Sequence, residues 1–258
     1  MGKEYEGTLV FASKGIFYDD ALPGGKIQVE PWSSQEERLI LSPNVDYETT
    51  LDRLVKRCTD CSIPPEDLLL SDRQQLFFFM RNLSYGGDYR CSFRCKECSA
   101  TNTEVINLED KLKTINVDDP EFLLDAGYDS VDQVTEPFTL ELEKLGVIVE
   151  WNQLRGKDER AVESYVKKQR KKKRGTKERE DYIYRLALRI SSVDGEAVDI
   201  LEAVRLVESM KGKDILAFRR AVEKMSIGLD PEIELTCECG FENEIILPMD
   251  KSFFLPPG

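Results

Sequence analysis

Phe93-Arg94-Cys95-Lys96-Glu97-Cys98 and Leu235-Thr236-Cys237-Glu238-Cys239-Gly240 are the two stretches of sequence that decide the fold. Each places two cysteines in a tight turn between segments that have the residue pattern of short strands. Such a turn aims both thiols at one point, and Gly240 permits the positive φ that a tight turn needs. Two turns together supply four thiolates, which is the ligand set of a closed structural zinc site. The sequence therefore predicts a structural zinc ion bound by Cys95, Cys98, Cys237 and Cys239.

The alternative for these four cysteines is a set of reduced, partly buried thiols, or a site that has lost its metal, because C-x-C is a less typical spacing than C-x2-C. Three more cysteines complete the seven of the chain. Cys91 lies on the strand before the first turn and is expected in the core. Cys58 and Cys61 also have the C-x2-C spacing, but they follow a helical pattern, whereas a thioredoxin-like redox pair begins a helix. We therefore expect them to pack in the core as well.

The two cysteine turns belong to a longer internal repeat. Asp72 precedes Cys95 by 23 residues, and Asp214 precedes Cys237 by the same 23 residues. At the same offset, Ser84 matches Ser226, Gly86 matches Gly228 and Asp88 matches Asp230. The second turn has one residue fewer between its cysteines, and beyond it Asn102 matches Asn243. Identical spacing together with the paired cysteines favours a duplication over chance similarity.

The predicted fold class is α+β and mainly helical, with two pseudo-repeated halves that each end in a small β-hairpin zinc knuckle. Apolar residues at helical spacing predict, among others, a helix that runs from Tyr184 through Ile190. The predicted divisions are an N-terminal arm (1–19), the first half (20–110), an acidic connection (111–137), the second half (138–250) with a basic insertion (167–179), and a C-terminal hook (251–258).

Histidine is absent from the 258 residues, which removes every catalytic or metal site that depends on an imidazole. A Ser-His-Asp triad, a Cys-His pair and an HExxH zinc protease are excluded, and no phosphate-binding glycine motif occurs. We therefore expect the protein not to be an enzyme. The chain has no apolar run of the ~20 residues that cross a bilayer, and its first residues lack the apolar core of a signal peptide. Neither membrane insertion nor secretion is expected.

The net charge of -13 argues against broad binding to nucleic acid. Positive charge is concentrated in residues 167–179, where nine basic residues and one acidic residue give +8 and leave the remainder of the chain at -21. This run has three interpretations: a solvated loop or helix tip, a docking segment for an acidic protein partner, or a contact to nucleic-acid phosphates. The residues predicted to bind a partner here are Lys171, Lys172, Lys173 and Arg174.

Apolar residues mark both ends of the chain. Leu9, Val10 and Phe11 are apolar anchors in the predicted arm. Phe253 and Phe254 precede Leu-Pro-Pro, so we expect a hook that is not helical. An exposed apolar end of this kind binds a partner, or it folds back onto the core of its own chain. Phe253 and Phe254 are therefore predicted partner-binding residues, with folding back as the alternative.

The pattern Leu83-Ser84-Tyr85-Gly86, Cys95-x2-Cys98, Cys237-x-Cys239-Gly240 and the Phe253-Phe254 tail resembles the T-even-like bacteriophage baseplate protein family, which comprises hub or hub-assembly components of contractile tails. The resemblance spans about residues 20–255. It implies a non-enzymatic tail component that is made in the host cytoplasm and located in the virion baseplate. The basic run is not a feature of that family.

These observations predict a structural component of a phage tail baseplate or hub, or a factor that assembles it. It would act by protein–protein contacts, with zinc joining its two halves. Its expected partners are other tail and baseplate proteins in a symmetric hetero-oligomeric assembly, without a membrane and without nucleic acid. The alternative function is a zinc-ribbon nucleic-acid-binding module that uses the basic run at 167–179.

Overall fold

Helices and short antiparallel strands alternate along the chain in a computed structural model. The structure describes residues 6–42, 46–172, 181–247 and 251–255, and within these the side chains of 169–172 and 251–252 are not described. In this part of the chain, the helices are all too short or too polar to cross a membrane.

The helices of the described residues are α1 (Ser34–Leu41), α2 (Tyr47–Cys58), α3 (Leu70–Tyr85), α4 (Leu108–Lys111), α5 (Pro120–Ala126), α6 (Gly156–Lys172), α7 (Asp181–Arg189), α8 (Ile200–Ser209), α9 (Gly212–Lys224) and α10 (Lys251–Phe254). The strands are β1 (Gly7–Val10), β2 (Lys26–Val29), β3 (Asp88–Arg94), β4 (Thr101–Asn107), β5 (Lys113–Ile115), β6 (Phe138–Leu142), β7 (Val147–Trp151), β8 (Ile190–Val193), β9 (Glu196–Ala197), β10 (Gly228–Asp230), β11 (Glu232–Thr236) and β12 (Glu242–Ile246).

The expectation of a mainly helical fold is wrong, although the α+β class holds. Helices make up 45% of the structure and strands 25%, and the strands form several antiparallel sheets. Most of the unexpected strands have only two to five residues, too few for an alternating pattern to stand out. The predicted helix through Ile190 shows the error, because α7 ends at Arg189 and Ile190 begins strand β8. Its apolar residues continue from a helix directly into a buried strand.

The largest sheet has four antiparallel strands in the order β6-β7-β8-β9. The other four sheets of the described residues are two-stranded: β1 with β2, β3 with β4, β11 with β12, and β5 with β10. The last of these pairs residue 115, from the predicted connection, with residue 228, from the predicted second half. One continuous hydrophobic core runs from Leu9 to Phe254 and contains residues of both predicted halves.

Two buried aspartates have corresponding positions in the two predicted halves. Asp72 is the third residue of α3 and Asp214 the third residue of α9, and both are almost fully buried. Asp72 accepts a hydrogen bond from the backbone N–H of Ser13, in the loop between β1 and β2. Asp214 accepts one from the backbone N–H of Lys144, in the loop between β6 and β7. Each aspartate therefore ties a helix to the loop of a two-stranded hairpin, although Ser13 belongs to the predicted arm (1–19) and not to the predicted first half (20–110).

Asp72 should make the stability of the protein depend on pH. Its carboxylate accepts hydrogen bonds of 2.6 Å from the Ser13 hydroxyl and the Tyr18 hydroxyl, and burial raises its pKa to about 6. Because this pKa is raised in the folded state, the contribution of Asp72 is fully present below its unfolded pKa and is lost as pH rises through 6. Relative to Asp72→Asn, the wild type should lose about 2 kcal/mol of unfolding free energy between pH 4 and 7. Urea unfolding of both proteins at each pH measures this difference, and a difference that does not change with pH would contradict the prediction.

The helix ends before the cysteine hairpins also correspond. The Ser84 hydroxyl donates to the carbonyl of Met80, four residues earlier, and the Ser226 hydroxyl donates to that of Val222. The matched glycines that follow, residues 86 and 228, both have positive φ, +80° and +107°. These contacts agree with the register that the sequence predicts for the two halves.

Gly228 and Gly86 allow a matched test of the packing between the halves. A Cβ atom on Gly228 would lie 2.8 Å from the Cβ of Ser71 in α3, whereas one on Gly86 would have no atom within 4 Å. Alanine at either position meets backbone strain of about 1–3 kcal/mol. Gly228→Ala should cost at least ~1 kcal/mol more than Gly86→Ala, because it also overpacks the contact with α3. Chemical unfolding measures both losses, and equal losses would show that this contact is not tight.

The C-terminal residues fold back onto the chain's own core. Phe253 and Phe254 lie in α10, at 0% and 1% exposure, so the expectation that this segment cannot be helical is wrong. The helix is a single turn that ends two residues before Pro256, outside the restriction that proline places on its preceding residue. Phe254 packs against Trp32, Tyr47 and Phe77, and these contacts belong to the first half.

Candidate metal centre

Two hairpins carry the four cysteines of the predicted site. In the first, β3 and β4 pair in register from Asp88 opposite Asn107 to Arg94 opposite Thr101. In the second, β11 and β12 pair from Glu232 opposite Ile246 to Thr236 opposite Glu242. Inward and outward side chains alternate on each strand, as expected for a ribbon with one face on the core. The cysteine turn closes the same end of each ribbon.

The structure brings all four predicted ligands together. The Sγ atoms of Cys95, Cys98, Cys237 and Cys239 lie within 4.8 Å of one another. Cys98 Sγ is 3.6 Å from Cys237 Sγ, and Cys95 Sγ is 3.8 Å from Cys239 Sγ. A tetrahedron with zinc–sulfur bonds of ~2.3 Å has sulfur–sulfur edges of about 3.8 Å, so these two distances fit that geometry. They are far longer than the ~2.05 Å of a disulfide.

The arrangement has an approximate twofold symmetry that follows the repeat. The first cysteine of each turn, Cys95 or Cys237, is buried, and the second, Cys98 or Cys239, is exposed. Both close sulfur–sulfur pairs join a first cysteine of one turn to a second cysteine of the other. Exchange of the two hairpins therefore maps the cluster onto itself, as expected if each half supplies one equivalent pair of ligands.

Two asparagines complete this symmetry. The Asn102 amide donates to Cys237 Sγ at 3.3 Å, and the Asn243 amide donates to Cys95 Sγ at 3.7 Å. The Asn243 carbonyl also accepts a hydrogen bond from the backbone N–H of Lys96. Each asparagine thus reaches across to the buried thiol of the opposite turn, where its N–H group stabilises a thiolate and orients it.

Hydrogen bonds favour ionisation of one buried thiol. Removal from water opposes a charge on Cys95, but backbone N–H groups of Cys98 and Glu97 and the amide of Asn243 together lower its pKa to about 6. At Cys239 the backbone N–H of Phe241 favours the thiolate, but neighbouring thiols, Cys237 first, raise its pKa to about 12. Without a cation, the neighbouring sulfurs therefore oppose ionisation of Cys239. A divalent metal would remove this conflict by binding the thiolates and releasing protons.

The two turns use different residues for the same backbone conformation. Ser99 has φ +62° and Gly240 has φ +86°, and each directly follows the second cysteine of its turn. Only glycine adopts this conformation without a steric cost from Cβ. The sequence pointed to Gly240 but gave no sign that Ser99 has the equivalent role.

Ser99→Gly should therefore stabilise the first turn. Relief of the left-handed strain exceeds the entropy that glycine adds to the unfolded chain, so the unfolding free energy should rise by ~0.5–1 kcal/mol. Ala100→Gly is the matched control, because it adds the same entropy without relieving strain, and it should lower stability by a few tenths of a kcal/mol. Chemical denaturation with zinc in excess measures both, and a loss of stability on Ser99→Gly would contradict the prediction.

The other cysteines lie outside the cluster. Cys91 and Cys58 are buried in the core, and Cys61 is partly buried against it. These positions agree with the core packing that the sequence predicts for all three. Burial raises the pKa of the Cys91 and Cys61 thiols, which favours their neutral form.

The predicted partner-binding residues are placed as follows. Helix α6 extends to Lys172, so the basic run begins as a helix and not as a loop. Lys173 and Arg174 lie outside the described residues, and the side chains of Lys171 and Lys172 are not described. Phe253 and Phe254 are enclosed by the core, which corrects their assignment to a partner and agrees with the alternative of folding back.

The two asparagines have a role at the site that the sequence alone does not predict. Their match in the repeat was visible, because Asn102 and Asn243 follow Cys98 and Cys239 by the same four residues. An asparagine at the same sequence spacing after both cysteine pairs could have indicated a shared role at the site.

A comparison with protein-family models identifies the chain. The model described as "T4 bacteriophage base plate protein" matches residues 15–255, which is nearly the whole chain and includes both cysteine turns. The chain belongs to this family. No curated protein matches it significantly, and no solved structure does so either.

Membership of the baseplate family supports a structural role in a phage baseplate. The family implies a location in the virion tail and contacts with other tail and baseplate proteins. A structural family of this kind favours a role that is not enzymatic. The predicted resemblance to a T-even-like baseplate protein is confirmed at the level of the family.

Proposed function

We propose that this baseplate protein is a subunit of the hub region of a contractile tail, or a factor that assembles it, and that zinc bound by its four clustered cysteines joins its two halves. The observation that carries the proposal is the convergence of two cysteine turns, 139–144 residues apart in sequence, on one cluster with the dimensions of a tetrahedral metal site. Each turn alone offers two ligands, so only the pair of hairpins completes a site.

The donor set fits zinc better than other common ions. Four thiolates select zinc or iron–sulfur chemistry, and calcium and magnesium prefer oxygen. The residues that would hold the ion are Cys95, Cys98, Cys237 and Cys239, with Asn102 and Asn243 hydrogen-bonded to the buried pair. A four-cysteine site leaves no open position for substrate, so the ion would supply a cross-link and no catalysis.

This cross-link would support function by fixing the orientation of the two hairpins. A baseplate subunit must present fixed surfaces to several neighbours, and a hairpin of two short strands is marginally stable by itself. Joining the tips of both hairpins would hold them in one orientation relative to the core. Loss of the metal would then weaken incorporation into the baseplate before it abolished folding.

Tail assembly with variant chains tests this proposal. The chain is co-produced with the other baseplate proteins of its phage, and assembled particles are separated from soluble protein by sedimentation. The wild type should appear in baseplate particles or in an assembly intermediate. Cys95→Ser and Cys237→Ser should appear in the soluble fraction, whereas Cys61→Ser, outside the cluster, should assemble as the wild type does. Incorporation of all three variants at equal levels would refute a role for the metal in assembly.

The same fractions separate a resident subunit from an assembly factor. A resident subunit keeps a fixed ratio to the other baseplate proteins in mature particles. An assembly factor is present in intermediates and absent from mature particles. Absence from both would overturn the baseplate role itself.

A further inference from the structure

The outward faces of the two cysteine hairpins have opposite charge. Exposed glutamates cover the outward face of the second hairpin, which we call the acidic face: Glu232, Glu234, Glu242 and Glu244. Glu234 lies directly opposite Glu244 in the strand register, an arrangement in which like charges destabilise a ribbon. In the described part of the chain, the one ion pair made by these four glutamates joins Glu244 to Lys96, at 3.9 Å between exposed side chains.

Nearby lysines do not neutralise the acidic face. Lys111 and Lys113 line a groove beside it, but Asp110 and Asp230 line the same groove and balance their charge. An exposed ion pair such as Lys96–Glu244 contributes little. The acidic face therefore keeps most of its negative charge in the single chain.

The corresponding face of the first hairpin, which we call the basic face, carries Arg90 and Arg94 among neutral Ser and Thr side chains. Both arginines are exposed, and no salt bridge is found for either among the described residues. The acid on this strand's outward side, Asp88, stands at the end distant from the cysteines. Two ribbons of the same construction thus present charges of opposite sign near the metal centre.

Each face also exposes one aliphatic side chain at the same place in the repeat. Val105 is 63% exposed and lies opposite Arg90, and Ile246 is 70% exposed and lies opposite Glu232. Each charged face therefore also offers one exposed apolar side chain to a contact between the two ribbons. Both charge and apolar contact are complementary between the two faces.

We propose that the basic face of one copy of this chain docks on the acidic face of a second copy. The two faces lie on different hairpins, so the contact is head-to-tail and repeats from copy to copy, closing into a ring when the rotation allows. Ribbons of five to seven residues are ~17–24 Å long, and one such contact is smaller than a standard protein interface. A single contact between two copies is accordingly weak, and several such contacts in a closed ring would stabilise the assembly. The inference rests on the baseplate role only in that the chain acts through protein contacts.

Charge reversal tests this docking in solution. The zinc-loaded chain is studied by sedimentation velocity over a range of concentrations at low ionic strength and again in ~0.5 M salt. The wild type should associate at low salt, and its association should weaken ~tenfold or more at high salt. Arg90→Glu with Arg94→Glu should remove the association, as should Glu234→Arg with Glu244→Arg.

Mixing the two double variants separates docking from a general effect of charge. The arginine variant then has two acidic faces. The glutamate variant has one basic face and one face whose charges cancel. Neither variant should self-associate, but in the mixture the basic face of the second should bind the acidic face of the first. Glu208→Arg with Glu223→Arg, two exposed helix positions, is the control for net charge and should associate as the wild type does. Far-ultraviolet circular dichroism establishes that each variant is folded.

Two outcomes would overturn the proposal. A wild type that is monomeric at every concentration at low salt shows that the acidic face does not bind a second copy. Self-association that survives both charge reversals shows that the copies meet through another surface. Either result leaves the baseplate role intact, because particle incorporation is measured separately.

Discussion

Cys237→Ser is expected to remove the metal from the protein and to lower its stability by several kcal/mol. The wild type should contain one zinc ion per chain. The variant keeps three thiolates, leaves the second turn with one ligand, and no longer ties the two hairpins together. With free zinc at ~1,000 times the dissociation constant, metal binding contributes about 4 kcal/mol to the folded state. Metal analysis of the purified chain and chemical unfolding with and without a chelator measure both effects.

Two controls make this experiment specific. Cys61→Ser changes a partly buried cysteine outside the cluster and should keep one zinc ion per chain. Cys95→Ser should behave as Cys237→Ser does, because the two residues have equivalent places in the two turns. Zinc that persists in either cluster variant, or a wild type without metal whose stability does not respond to a chelator, would show that the four thiols do not form a shared site.

The clustering of the four cysteines was predictable because its signal is short and local. Two cysteine pairs in turns flanked by strand-forming residues are visible in the sequence, and the repeat linked them across 144 residues. The supporting residues were less visible. The roles of Asn102, Asn243 and Ser99 depend on how the turns meet in space. The spacing in the sequence shows where these residues lie along the chain but not which atoms they contact.

The β-content was underestimated for a different reason. Strands such as β5 and β10 have three residues each, and they pair across more than 110 residues of sequence. A strand of three residues contains too little alternation to be recognised, and its partner is set by the tertiary fold. The opening strand β1 was likewise assigned to an arm, although Leu9 and Phe11 are buried in the core.

The C-terminal segment was misassigned because composition does not say which surface an apolar residue contacts. Phe253 and Phe254 are followed by prolines, a pattern that suits an exposed docking tail as well as a packed one. The aromatic residues that enclose them come from several elements of the first half, including Trp32, Phe77 and Phe78. Only the fold brings that set together.

Phe254→Ala is expected to lower the unfolding free energy by ~3–5 kcal/mol, the usual cost of truncating a fully buried phenylalanine. Its ring centroid lies 5.5 Å from that of Trp32, 5.9 Å from that of Phe77 and 6.2 Å from that of Tyr47. Truncation removes these contacts and the one with Phe253 at 5.3 Å, and it leaves a cavity. Urea unfolding of the zinc-loaded protein measures the loss. Phe241→Ala is the matched control, because that ring is 38% exposed on the second hairpin and its removal should cost far less.

A loss of unfolding free energy for Phe254→Ala no larger than that for Phe241→Ala would show that the tail does not pack in solution. The two phenylalanines would then again be candidates for binding a partner.

If the tail does pack, it is a second connection between the halves, because it follows β12 and ends among residues of the first half. Combining Phe254→Ala with Cys237→Ser then tests whether the two connections act together. If the two connections act independently, the loss of unfolding free energy in the double variant equals the sum of the two single losses. If they depend on each other, the double variant departs from that sum by more than ~0.5 kcal/mol.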